Sequence, residues 1–155
     1  MSDPCLQELF APLSTCFGCG PANPRGLRIR SFATSPEETT ATWRPEPHHE
    51  AFPGMLNGGI IGALLDCHSN WTAAHFLMRR DQLPRPPCTV TADYAIKLLR
   101  PTPTGGPVEL LARVVASAAD RATIEATLSA AGKPRATCRG TFVAVQAGHP
   151  AYHRW

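Results

Sequence analysis

The sequence predicts an α+β protein in which a six-stranded antiparallel sheet wraps around one long central helix. Three observations predict it. Only the stretch from Asn57 to Met78 reads as a long helix, and no Lys, Arg or Glu interrupts it. Four segments nearer the C-terminus alternate strictly between apolar and polar residues, the period of a half-buried strand. Two shorter β-rich segments precede the helix. Strands with one apolar and one polar face pair as antiparallel meanders. One apolar helix then covers the apolar face of a twisted sheet that curls around it.

Composition bounds the rest. The 155 residues, 43% of them hydrophobic, suit one domain over residues 1–155 with a single core, residues 1–13 forming an N-terminal extension. Fifteen Lys and Arg against twelve Asp and Glu leave a net charge of +3. No basic run with interleaved aromatics points to nucleic acid. No apolar run reaches the ~18 residues of a membrane span. The opening Met-Ser-Asp-Pro-Cys lacks the charged and apolar regions of a secretory signal, so a cytoplasmic location is expected.

Along the chain, residues 1–12 suit a short turn or helix, and residues 13–26 a loop rich in Gly, Pro and Cys. Leu27 to Ala33 alternates and predicts a strand; Thr39 to Trp43 predicts a second, after a Ser35-Pro36-Glu37 turn. Residues 45–56 connect to the helix, which runs to Arg79 or Arg80 before Pro84 to Pro87 break the chain. The four long strands are Thr89–Leu99, Val108–Ala116, Arg121–Ala130 and Arg135–Val145. In the first, Val90, Ala92, Tyr94, Ile96 and Leu98 share one face, and Thr89, Thr91, Asp93 and Lys97 the other.

At 3.6 residues per turn the helix shows two faces. One carries Ile60, Leu64, Cys67, Trp71 and Met78, with Trp71 toward the sheet. The other carries Gly59, Gly62, Asp66, Ser69, Asn70 and Ala73. A solvated face normally carries charged side chains. The helix is therefore expected to be buried on both sides, and a buried carboxylate needs a partner or a chemical task. Ser69 and Asn70 are the expected partners of Asp66. His68 falls on the far side, so no Ser/His/Asp arrangement is supported. Cys67 and Cys138 read as small core residues. Cys16-Phe-Gly-Cys19 is a lone CxxC, read as a structural loop; a half zinc site or a redox pair are the alternatives. No metal and no cofactor are expected.

Asn57-Gly58-Gly59 opening the helix, with Asp66 seven residues after the second Gly, resembles the hotdog-fold acyl-CoA thioesterases. The match is to the phenylacetyl-CoA thioesterase-like branch of the 4-hydroxybenzoyl-CoA thioesterase superfamily. Pro53-Gly54, the strand Thr91 to Pro101, and Cys16 to Leu27 are similar to the family too, so the resemblance spans about residues 14–147. Family members usually carry His where Asn57 stands.

Thioester hydrolysis needs a group that activates water or attacks, and a donor for the developing oxyanion. Asp66 suits the first as general base or nucleophile. The backbone N–H of Gly58 or Gly59, at the helix N-terminus, suits the second. Asn57 is either a substrate contact or an N-cap. The resemblance implies that Thr91 orients water. Gly59, Thr91, Ser69, Asn70 and His49 are the expected substrate-binding residues, with Lys97, Arg100 and Arg139 as candidates for the CoA phosphates. Gly58 and Asp66 are eight residues apart, about 12 Å along a helix. One thioester cannot touch both in one chain, so a working site needs two subunits: a homodimer, or a homotetramer built as a dimer of dimers. This agrees with what the resemblance implies. The alternatives are a hotdog protein that binds acyl-CoA or another acyl ligand without hydrolysis, and a dehydratase or hydratase. The latter use a His with a carboxylate, and no His shares the Asp66 face.

Overall fold

Alternation of buried and exposed residues sets the sheet. A computed structural model describes residues 2–155; Met1, part of the expected N-terminal extension, lies outside the described residues. In chain order the elements are α1 (Leu6–Phe10), β1 (Phe32–Ser35), β2 (Glu38–Trp43), a 3-10 turn (Pro47–His49), β3 (Glu50–Phe52), β4 (Met55–Leu56), α2 (Gly58–Arg80), β5 (Thr89–Leu98), β6 (Val108–Ala118), β7 (Arg121–Ala130) and β8 (Lys133–Ala144). Six of the strands form one sheet in the order β1-β2-β6-β7-β8-β5, antiparallel throughout. α2 packs across β5 to β8. The expected sheet wrapped on one helix is the fold observed.

The inward face is continuous. Leu110 lies opposite Leu128 and Ala126 opposite Cys138, all buried in one core with Leu64 and Leu65 of α2. Each such leucine contributes about 1.5–3 kcal/mol on burial. Outward positions carry charge, with Arg139 paired to Glu125 and Arg113 to Glu38. The β7–β8 hairpin turns on Ala131 and Gly132, both at positive φ (51° and 74°), which matches the twist of the strands it joins.

α2 begins and ends on defined caps. Asn57 is extended, and its Oδ1 accepts from the N–H groups of Gly59 (2.8 Å) and Ile60 (3.1 Å). At the other end Gln82 adopts φ 54°, while Leu83 N–H donates to the Met78 carbonyl and Gln82 N–H to that of Arg79. That is a Schellman closure.

Several expectations are corrected. The strand expected at Leu27–Ala33 pairs only from Phe32. Leu27 N–H and Ile29 N–H donate instead to Phe17 and Gly18 carbonyls, and Arg28 at φ 49° breaks the extended run. The connecting loop 45–56 folds into the β3–β4 hairpin. The N-terminal stretch carries the short helix α1, as expected, and packs with Cys5, Leu6, Gln7 and Ala11 buried. Trp71, buried in the core, is also covered by the loop and the C-terminal tail: its Nε1–H donates to Cys19 Sγ at 3.4 Å and its ring packs 4.6 Å from that of Trp155.

The largest correction concerns β5. Its register against β8 skips one residue between Thr91 and Asp93. Thr91 lies opposite the buried Phe142, Ile96 opposite Cys138 and Leu98 opposite Ala136. The bulge therefore turns Thr91 to the same, helix-facing side as Ile96 and Leu98, against the uninterrupted alternation expected. β5 is also an edge of the sheet, and Tyr94, Leu98 and Leu99 are exposed along and just beyond it.

A buried polar chain ties α1, β2 and α2 together through Ser31, the residue before β1. Gln7 Nε2 donates to Ser31 Oγ (2.9 Å), which lies 2.8 Å from His68 Nδ1. His68 Nε2 reaches Thr39 Oγ1 (3.1 Å), which meets Thr72 Oγ1 (2.6 Å). The neutral imidazole satisfies both neighbours, accepting at Nδ1 and donating from Nε2. Burial pushes its pKa down to about 4.

Candidate active site

The bulge in β5 brings a hydroxyl to the one carboxylate of α2. Thr91 Oγ1 donates to Asp66 Oδ1 at 2.6 Å. Asp66 is half-buried. Burial raises its pKa above the ordinary carboxylate value; the Thr91 hydrogen bond opposes that shift, the nearby Cys16 adds to it, and Arg154 opposes it. A carboxylate so placed is a stronger base than one in water, with Oδ1 oriented by a fixed donor.

At the N-terminus of α2 the amides divide. Asn57 Oδ1 takes those of Gly59 and Ile60, so the Gly59 N–H expected to face substrate is occupied. The Gly58 N–H has no protein acceptor among the described residues, and the helix dipole adds to its positive end. Beside it opens a largely apolar groove of about 410 Å³, lined by Phe52, Met55, Gly58, Ile61, Leu98 and Arg100. Asn57 is held from behind, its N–H donating to the His49 carbonyl at 3.0 Å.

Other expected site residues lie elsewhere. Ser69 and Asn70 are buried and neither bonds Asp66; the Asn70 amide donates to the Thr89 carbonyl at 3.4 Å. Asn70 thus reaches the start of β5 rather than its bulge. His49 stacks between Trp43 (4.8 Å) and His48 (4.0 Å), and its Nδ1 accepts from the Glu46 N–H. It braces the loop that positions Asn57. Arg139 pairs with Glu125 on the outer face.

Two features lay outside the sequence reading. Arg154, whose Nη1 donates to the Thr89 carbonyl at 3.0 Å, brings a positive charge toward Asp66. The aperiodic C-terminal tail carries no signal for this. Cys67 does not sit in the sheet core: its Sγ lies 3.8 Å from that of Cys16, and the Cys16, Cys19 and Cys67 thiols lie within 4.8 Å of one another. A third cysteine directly after the lone helix carboxylate was the available clue. No helix among the described residues is long and apolar enough to cross a membrane.

No protein-family model matches the chain, and neither does any curated protein. Solved structures do. A thioesterase superfamily protein from Shewanella loihica PV-4 is 31% identical, over 76% of this chain and 91% of that one, with a TM-score of 0.61. Zebra fish thioesterase superfamily member 2 is 20% identical over 92% and 100%, with a TM-score of 0.68. The E. coli PaaI protein from the phenylacetic acid degradation operon is 16% identical over 77% and 81%, with a TM-score of 0.66. The last two are similar in fold.

Proposed function

The chain belongs to the thioesterase superfamily, with the hotdog architecture of six antiparallel strands around one helix, and from that premise we propose that it is an acyl-CoA thioesterase. It hydrolyses a thioester to a free acid and CoA. The observation that carries this reading is the half-buried Asp66 carboxylate held by Thr91, on the same helix whose first amide, Gly58 N–H, is unpaired.

In this reading Asp66 acts as general base. It takes a proton from a water molecule that attacks the thioester carbonyl carbon. Gly58 N–H donates to the oxyanion of the tetrahedral intermediate. Collapse of that intermediate breaks the C–S bond, and the CoA thiolate leaves. Burial raises the pKa of Asp66, which brings it closer to the operating pH at which a general base works best; attack by the same carboxylate would form a mixed anhydride instead. The acyl group occupies the groove beside Gly58, with Arg100 at its rim for the CoA phosphates.

Two subunits complete each site, because the helix separates Gly58 from Asp66 by about 12 Å. The unpaired edge of β5, with Tyr94 and Leu98 exposed, supports pairing with a second copy. An isologous dimer of this kind holds two equivalent sites, and a dimer of dimers retains them. A cytoplasmic location is part of this reading, since all six cysteines are free, as suits a reducing compartment.

The test is release of free CoA from a panel of acyl-CoAs by the wild type and Asp66→Ala. Turnover of at least one acyl-CoA, abolished in the variant, is the expected result. Equal turnover in the variant removes Asp66 from the chemistry. Tight acyl-CoA binding with no release favours the non-hydrolytic alternative. A single turnover in heavy-oxygen water distinguishes the two roles of Asp66: label appearing in the Asp66 carboxylate would mean a covalent anhydride.

A further inference from the structure

The thioesterase chemistry leaves the cysteine cluster unused. The loop Cys16-Phe17-Gly18-Cys19 folds over the middle of α2, bringing two thiols to a third on the helix. Cys19 is buried, and Cys16 and Cys67 are half-buried. All three Sγ atoms lie within 4.8 Å of one another, and Cys16 and Cys67 are 3.8 Å apart. Tetrahedral Zn(II) with Zn–S bonds of ~2.3 Å holds its sulfurs about 3.8 Å apart. A disulfide would need two of them at ~2.0 Å and would strand the third.

The surroundings favour the same arrangement. A Cβ at Gly18 would overlap Cys67 Sγ, so only glycine lets the turn close over that thiol. Trp71 Nε1–H donates to Cys19 Sγ at 3.4 Å, a contact that supports a sulfur carrying negative charge. Among the described residues no fourth His, Cys, Asp or Glu joins the group.

We propose that Cys16, Cys19 and Cys67 form a three-thiolate site for one thiophilic divalent ion of the Zn(II) type, with water or another small ligand in the fourth position. Each thiol gives its proton to solvent as its metal–sulfur bond forms, and no electron changes hands. The ion clips the N-terminal loop to α2 beside Asp66. It stabilises the fold whether or not the protein hydrolyses thioesters.

The test uses the full chain. Elemental analysis of protein purified without chelator is expected to give about one zinc per chain. Titration of reduced, metal-free protein with Co(II) is expected to give a thiolate-to-cobalt charge-transfer band that saturates at one equivalent, with the d–d bands of tetrahedral cobalt. Cys16→Ser, Cys19→Ser and Cys67→Ser are each expected to lose the band, and Cys88→Ser to keep it. The wild-type titration stands even if a ligand variant fails to fold. Absence of the charge-transfer band in reduced wild-type protein overturns the proposal, as does its survival in a folded Cys67→Ser variant. Because these readouts involve no substrate, failure here leaves the thioesterase reading standing, and failure of that reading leaves this one.

Discussion

Thr91 Oγ1 and Asp66 Oδ1 are 2.6 Å apart, and this is the one hydrogen bond that the Asp66 carboxylate accepts among the described residues. It joins an edge strand to the central helix at the point where the edge strand carries an extra residue.

If this hydroxyl orients the base, Thr91→Ala lowers kcat for acyl-CoA hydrolysis about 10- to 100-fold, the loss expected for one hydrogen bond to a charged group. Thr91→Ser keeps the hydroxyl and most of the rate. Steady-state kinetics of the two variants decide it; equal losses would point to packing of the threonine methyl group instead.

Gly58 is the first residue of α2, where proline is well tolerated. Gly58→Pro therefore deletes the proposed oxyanion donor and leaves the helix intact. Alone, Gly58→Pro and Asp66→Ala are both expected to be inactive. Mixed and allowed to exchange subunits, they are expected to recover up to about one quarter of wild-type activity: half of the dimers are mixed, and each holds one intact site. No recovery despite proven exchange would place both groups in one subunit's site.

Asn57 has two separable properties. Its Oδ1 caps the Gly59 and Ile60 amides, and Asn57→Ala is expected to cost about 1 kcal/mol of stability. Asn57→Asp keeps the cap and adds a negative charge beside the Gly58 amide. Urea unfolding is expected to show near-wild-type stability for Asn57→Asp, while its hydrolysis rate falls. An unchanged rate would make Asn57 a cap and nothing more.

His68 makes stability depend on pH. Its folded-state pKa of about 4 lies below the ordinary 6.5, so the unfolded chain binds the proton first. The stability linked to this residue is fully present above pH 6.5 and is lost as pH falls toward 4, with a slope of up to about 1.4 kcal/mol per pH unit. Urea unfolding across that range, wild type against His68→Gln, isolates the contribution; parallel curves would show that His68 does not titrate on unfolding.

The sequence makes some of this legible and hides the rest for physical reasons. α2 is readable because no Lys, Arg or Glu interrupts it before Arg79 and because Asn57 can cap it. β6, β7 and β8 are readable because each keeps strict alternation over its buried half, and the β6–β7 and β7–β8 hairpins are only two residues long. Asp66 stands out as the lone carboxylate of a helix that carries no Lys, Arg or Glu before its last turn. Its partner is harder to see: alternation puts Thr91 on the outer face, and only the resemblance suggested a role for its hydroxyl. The loop over Cys67 and Trp71 is hidden too. Its backbone pairs with residues 27–29 in an irregular way that no periodicity encodes.

Ala92 is the residue that the β5–β8 ladder skips. Because Thr89, Val90 and Thr91 already lie opposite Ala144, Val143 and Phe142, removing Ala92 would make the ladder regular while leaving every one of these pairs in place. The strand can thus differ in length by one residue without moving Thr91 off the carboxylate. Chains of this lineage that lack a residue here would carry the same site behind a gap in the alignment, and a comparison forced to be gapless would put the wrong side chain beside Asp66.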